Sequence, residues 1–273
     1  MKRNNIAKYI QKDGTIFLNK NSNMESLFLS QASDGKIIVD EGVCSDILIG
    51  DLSDNLNLNL ELKNDSSLSV KGVIRGNDKN IEINGNIAKN ATISLYFLDF
   101  SSGKVVIDGI INCLDEGSSA TWKMASLSAK NDNKKIAINI EHLTPNSNGL
   151  VDNYGVCKDN GKLEFAGANH IKKGAKKTQT RQSARIMLLD KESDGIAKPI
   201  LKIDESDVIA SHAGAIGQVN EDQLFYLESR GLKENEAREL IVLGYFKPIL
   251  QLFDEDENQK EIAEQLEKKI ANK

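Results

Sequence analysis

Leu56, Leu58, Leu60 and Leu62 alternate with Asn57, Asn59 and Glu61. A period of two puts all four leucines on one face of an extended strand. Shorter runs of the same kind fill the first two thirds of the chain: Ile37-Ile38-Val39, Ile47-Leu48-Ile49, Leu68-Ser69-Val70, Ile81-Glu82-Ile83, Ala91 to Leu98, Val105-Val106-Ile107, Ile110 to Cys113, Ala120 to Leu127 and Ile136 to Ile140. Turn residues separate them: Asp34-Gly35, Arg75-Gly76-Asn77-Asp78, Asn84-Gly85, Ser102-Gly103 and Glu116-Gly117. No helical periodicity of useful length interrupts this stretch. Many short strands mean a sandwich, a barrel or a solenoid, and periodicity does not choose among them. Asn84-Gly85 has the composition of a two-residue hairpin turn. The strand spacing is too irregular to establish a repeat.

The chain has 273 residues, of which 40% are hydrophobic and 27% charged, enough apolar material for a sizeable core. Aromatics are 5% and prolines number three, so that core rests on Ile, Leu and Val, with Trp122 read as a core residue. A net charge of -5 argues against a nucleic-acid binder. The one basic run, Lys172 to Lys177, is short, lacks aromatics and reads as a solvated loop or strand edge. No apolar run reaches a membrane span, and Met1 to Asn5 is basic without the apolar stretch of a signal peptide. Cys44, Cys113 and Cys157 are odd in number and widely spaced, which predicts free thiols in a reducing cytosol.

From Asn220 the character changes. Asn220 is placed to cap a helix, with Glu221 and Asp222 in the first turn and Gln223 reaching back. Leu224, Phe225 and Leu227 give its stripe, and Gly231 follows its end. A second helix is predicted from about Lys233 to Leu243, burying Ala237, Leu240 and Ile241 and stopped by Gly244, with a further segment over Tyr245 to Phe253. In the charged tail, Ile262, Leu266 and Ile270 form a narrow stripe, expected of a surface-lying or partner-binding helix or of a frayed end.

Signatures of catalysis are scarce. There is no Gly-rich loop ending in Lys-Ser or Lys-Thr, no GxSxG and no HExxH. Acid pairs such as Asp115-Glu116, the carboxylates a β-helix carbohydrate-active enzyme would need, sit where turn chemistry explains them. His142 and His170 fall near predicted turns and read as structural or exposed.

One long stretch is more specific. Lys198-Pro199-Ile200-Leu201-Lys202-Ile203 leads into Asp207-Val208-Ile209-Ala210-Ser211-His212-Ala213 and Gly217-Gln218. Gln223-Leu224-Phe225-Tyr226-Leu227, Ser229-Arg230-Gly231, Glu236-Ala237 and Gly244-Tyr245 follow. This ordered run resembles the C-terminal signature of the SufB/SufD family of iron–sulfur cluster assembly proteins. The likeness is clear from about His142 to Leu250, diffuse from Ala91 to Glu141 and only compositional before that.

The resemblance implies a mainly β fold, a right-handed parallel β-helix over about residues 31–218 followed by a small C-terminal helical domain over 219–273. Residues 1–30 would be an N-terminal segment, short beside the family's longer helical region. It implies a non-enzymatic, cytoplasmic subunit that pairs with a SufB-like chain and docks the SufC ATPase. Ala210 stands where some SufD-type chains carry a Cys, and no Glu follows His212, so the likeness is to SufD. A SufB-like homodimeric scaffold is the competing assembly. His212, as a tentative metal ligand, and Ser211 are expected at the interface where a transient iron–sulfur cluster forms, with a bound flavin in the complex a further expectation. Cys113 is the candidate for sulfur handling, ahead of Cys44 and Cys157. Phe225, Tyr226, Leu240, Ile241 and Tyr245 are the candidates for partner contact, on helices that also pack their own core.

Overall fold

The alternating runs form strands, as their period requires, and every pairing between them is parallel. A computed structural model describes residues 7–9, 14–20, 26–29, 33–253 and 256–270. In chain order its strands are β1 (Ala7–Tyr9), β2 (Gly14–Leu18), β3 (Ser26–Leu29), β4 (Asp34–Val39), β5 (Cys44–Leu52), β6 (Asn55–Leu62), β7 (Ser67–Ile74), β8 (Asn77–Ile87), β9 (Thr92–Asp99), β10 (Ser102–Cys113), β11 (Ser119–Ser128), β12 (Asn133–His142), β13 (Asn148–Cys157), β14 (Lys162–Ile171), β15 (Thr178–Leu188), β16 (Asp194–Ile203) and β17 (Val208–Gln218). Odd strands stack in order into one sheet and even strands into another. The chain therefore winds as a flattened parallel β-helix, two strands to a coil. The N-terminal segment already takes part in the coiling, since Ala7 pairs with Ser26 and Leu27 with Ile49.

The coils lengthen along the chain, which is why no fixed repeat shows in the sequence. Gly14 lies opposite Gly35, and Asn55 opposite Asn80. Further on, Asn133 lies opposite Lys162, and Lys162 opposite Asp194. Each step in this series carries the chain farther than the one before it.

Asn84-Gly85 is not a hairpin turn. It lies inside β8, where Gly85 sits between Leu60 and Ile111 in the neighbouring coils. The turns that do form stack on one another. Asp65, Asn90, Gly117, Asn146 and Lys177 all take positive φ, between 54° and 75°. Asn90 Nδ2 donates to Asp65 Oδ1 at 3.0 Å and Asn146 Nδ2 to Glu116 Oε1 at 2.7 Å, so Glu116 is a turn residue. A Cβ on Gly117 would stand 2.4 Å from Asn90 Oδ1, so this corner requires glycine.

Two apolar cores result. One fills the space between the sheets, with Leu58, Leu60, Ile83, Leu95, Trp122 and Ile138 fully buried. The other lies outside the odd-strand sheet, where alternation gives way to continuous burial at the ends of β9, β11 and β13. There Leu98, Phe100, Leu127 and Val156 meet the helices α1 (Glu221–Ser229), α2 (Glu234–Leu250) and α3 (Asp256–Ile270). The helices thus share their core with coils far back in the sequence.

Asn220 caps α1 as expected, its Oδ1 accepting from Gln223 N at 3.1 Å. The predicted stop at Gly244 does not occur, and α2 runs on through Pro248 to Leu250. A glycine inside a helix costs about 1 kcal/mol, less than the burial of Phe246 and Ile249 beyond it returns. Leu240 does not lie on the buried face, being 49% exposed, whereas Ala237, Ile241 and Val242 do. The tail stripe is neither frayed nor free: Ile262, Leu266 and Ile270 are buried in the second core.

Lys269 anchors α3. Its Nζ reaches Asp132 Oδ2 at 2.8 Å, Leu127 O at 3.2 Å and Ser101 O. Beneath it Lys134 and Asp99, both without exposed side-chain surface, pair at 2.6 Å. Burial pushes the Asp99 carboxyl up, but Lys134 and Lys269 outweigh it and hold it below the usual carboxylate range. Burial, with Lys134 adding to it, lowers Lys269 to about 8 against the opposing pull of Asp99 and Asp132.

Candidate functional site

The last coil differs from all those before it. β16 and β17 close their sheets, and neither has a strand on its outer side among the described residues. Both are long, 10 and 11 residues, and largely exposed. Ile200, Ile203, Ile209 and Ile216 are 45–68% exposed. An apolar parallel edge of this length is a template for another chain unless something covers it. Pro199, which cannot donate to a ladder, is placed on this edge as a strand proline must be.

Ser211 and His212 lie within β17, which runs on to Gln218 rather than turning after His212. Their side chains point to opposite faces. Ser211 is in register with Arg181 on the outer face, beside Ile209, Gln179 and Thr121 along an open groove of about 370 Å³. His212 is in register with Gln182, which is buried. His212 therefore tops an interior column that descends through Gln182, Val151, Trp122, Leu95, Val70 and Ile47. It is an inward-facing residue left at the open rim.

Under that rim the interior is polar. His142 is fully buried, its Nδ1 2.8 Å from Ser147 Oγ and its Nε2 3.1 Å from Thr180 Oγ1. Asn169 Nδ2 donates to Thr180 Oγ1 at 2.7 Å, and Gln182 Nε2 to the Gly167 carbonyl at 3.2 Å. Burial holds the His142 imidazole neutral, lowering its pKa to about 4. Sequence reasoning does not mark Asn153, Asn169 or Gln182 as interior. The usable signal is a polar residue at an inward position, and inward is defined only once the register is known.

Cys113 is not brought to His212. It stacks against His142 in the next coil, fully buried, with burial pushing the thiol up to about 11. Reactive thiols sit in exposed, electropositive surroundings with a lowered pKa, which is the opposite arrangement. Cys157 is buried as well, and its thiol is raised to about 12. No cluster of three His, Cys, Asp or Glu residues able to hold a metal ion occurs among the described residues, so His212 belongs to no such group within them. His170 bridges coils on the outer face, between Glu141 at 3.2 Å and Asp204 at 2.9 Å.

The helical candidates divide into two sets. Phe225, Tyr226 and Leu240 are 72%, 55% and 49% exposed, and the Arg230 guanidinium lies over the Tyr226 ring, 5.2 Å from its centroid. Ile241 is core, and Tyr245 packs edge-on against Tyr154 at 5.6 Å. Between α1 and the last coil runs a groove of about 550 Å³ lined by Asp190, Glu192, Glu221, Glu228 and Phe225.

Comparison with known proteins points one way. The family model described as SUF system FeS cluster assembly, SufBD core domain, matches residues 23–245, well beyond the part where the motif is legible. The iron–sulfur cluster assembly protein SufD of Bacillus subtilis is 30% identical over 170 residues, covering 62% of this chain and 39% of that protein. Iron–sulfur cluster assembly SufBD family proteins of Staphylococcus saprophyticus and Staphylococcus epidermidis are 29% identical over 139 residues, covering 50% of this chain and 30% of theirs. The matched segments thus span a third or so of the relatives' lengths.

Proposed function

Because the chain belongs to the SufBD family of the SUF iron–sulfur cluster assembly system, we propose that it is a SufD-like, non-catalytic subunit that pairs with a SufB-like chain through its last coil. The observation that carries this reading is the uncovered edge formed by β16 and β17, with Ile209 and Ile216 exposed and His212 at its rim. A partner strand laid along β17 satisfies the edge and buries those isoleucines. His212 then faces the partner, and a cluster assembled there is cargo shared between the two chains. A neutral imidazole nitrogen is a competent ligand for iron, and the partner supplies the thiolates this chain lacks at that place.

The exposed set Phe225, Tyr226 and Leu240 is the surface for the SufC-type ATPase. These side chains are exposed although α1 and α2 have core-facing residues of their own, which supports a covering partner. Three cysteines without disulfides support a cytoplasmic place of work. No helix among the described residues is long and apolar enough to cross a membrane.

The test is co-expression with a SufB-like chain and a SufC-type ATPase, with complex mass measured by light scattering. Ile209→Lys with Ile216→Lys is expected to abolish pairing with the SufB-like chain and leave ATPase binding in place. Phe225→Ala with Leu240→Ala is expected to do the reverse. His212→Ala is expected to keep the complex and lose cluster assembly. Formation of a stable homodimer in preference to the mixed complex would favour the homodimeric scaffold instead.

A further inference from the structure

Along its central columns the interior of the β-helix changes from apolar to polar toward its open end, and three buried side-chain oxygens there lack partners among the described residues. Asn153 Oδ1, Asn169 Oδ1 and Gln182 Oε1 are buried and accept from no group among the described residues. All three residues are at most 2% exposed. Each belongs to an interior column: Asn153 between Met124 and Ala184, Asn169 above Ile140, Gln182 above Val151. Asn169 and Gln182 each donate their amide N–H across the gap between the sheets, to Thr180 and Gly167 respectively. Their oxygens, acceptors only, are what remains unsatisfied. An unpaired buried acceptor costs about 1–3 kcal/mol, and three in neighbouring coils is more than a fold leaves without compensation.

Side-chain volume falls in the same direction along one column. One interior column runs Phe97, Met124, Asn153, Ala184, Gly214, each residue filling less volume than the last. The coils meanwhile lengthen, from the step that sets Ser67 opposite Thr92 to the longer one that sets Asn148 opposite Gln179. The added residues fall mostly in the turns, while within this column the side chains shrink toward the last coil. At the start of this column a Cβ on Gly72 would lie 3.0 Å from the Phe97 ring, whereas at its end a Cβ on Gly214 would meet only ordinary contacts at 3.6 Å or more.

We propose that the last coils hold a vestibule of ordered water, which donates to the oxygens of Asn153, Asn169 and Gln182 and lies directly beneath His212. Water is the occupant that fits, because it supplies donors to acceptor-only oxygens and reaches the site through the exposed last coil. The vestibule joins the buried His142–Thr180–Asn169 network to the rim residue His212 through Gln182. A chain that covers β16 and β17 seals this water against the inner side of His212. The water site itself stands on the interior geometry and is independent of what His212 binds.

The full chain is the sample, and magnetic relaxation dispersion of water deuterium and oxygen-17 is the measurement. It counts waters held far longer than surface hydration. The expected result is at least one long-lived water in the parent, lost in Asn169→Leu with Gln182→Leu. Gln182→Met alone, a smaller change of shape, is the second variant and is expected to lower the count while leaving the far-ultraviolet dichroism unchanged. Water cross-relaxation to the side-chain amide protons of Asn169 and Gln182 places the signal. An unchanged count in both variants overturns the proposal. So does a signal that appears only with potassium or ammonium in the buffer, which would make the occupant a cation.

Discussion

The early coils and the late coils are built on one backbone plan and filled by different chemistry. Along the central columns between β4 and β11 the interior is aliphatic and aromatic, Leu58 against Ile83, Val70 against Leu95, Leu95 against Trp122, with Lys79, Asp99 and Ser126 the buried polar groups near the strand ends. From β12 onward His142, Asn153, Asn169, Thr180 and Gln182 enter the same columns. An apolar ladder gains stability from every added coil and needs no particular partner. Polar groups in the same positions stabilise only where each finds a mate. The central columns of the early coils therefore draw their stability from apolar stacking alone, and those of the late coils depend in addition on polar pairing.

The sharpest way to break that contrast is to exchange fillings. Leu95→Asn places an unpartnered amide among apolar neighbours and is expected to cost about 3–5 kcal/mol. Gln182→Leu, the reverse change in the late coils, is expected to stay within about 1 kcal/mol. Urea unfolding of both variants decides, and equal costs would mean that the two regions do not differ energetically.

Acid comes next. His142 binds its proton at about pH 4 when folded, against an ordinary value of 6.5. The unfolded chain takes up that proton first as the pH falls. The stability held by the neutral ring is full above the ordinary value and is lost as the pH drops toward the folded one, on the order of 3 kcal/mol. Hydrogen exchange should show β12 to β15 opening before β6 to β9 in that window, and His142→Gln should flatten the dependence.

A smaller effect separates inside from outside. Lys269, lowered to about 8 from an ordinary 10.5, is less readily protonated in the fold than in the free chain. Stability of the α3 contact is therefore expected to rise as the pH climbs from the folded value toward the ordinary one, and to be flat below that window. Lys269→Met removes the rise and costs about 2 kcal/mol, leaving Asp132 without its cation. Smallest of all is Ile209→Lys on the exposed edge, within about 0.5 kcal/mol in the isolated chain. A larger loss would mean the edge is covered by the chain itself.

Much of this architecture is legible in the sequence. Alternation at Leu56 to Leu62 is a property of one strand, and so it marks strands wherever it occurs. Asn220 and Gln223 are neighbours in the chain, and their capping contact forms as their spacing requires. The run from Lys198 to Tyr245 carries the family likeness because its order of residues is itself the signal. Gly244 misleads because its local propensity for a stop is outweighed by the distant contacts of Phe246 and Ile249. The tail stripe misleads for the same reason, being buried in a core that α2 shares with Leu98, Phe100 and Leu127 from far earlier in the chain.

What the sequence by itself determined is therefore the local part: strands by their period of two, a capped helix, an apolar supply sufficient for a core and a family signature. What only the tertiary structure decided is which residues meet across coils. Stacking depends on offsets that drift, from Gly14 opposite Gly35 to Lys162 opposite Asp194. A slip of a single position would turn His212 outward and Ser211 in. Cys113 is a buried core thiol and His212 the rim of a polar interior because those offsets, set by the packing of whole coils, place one on a buried level and the other on the last.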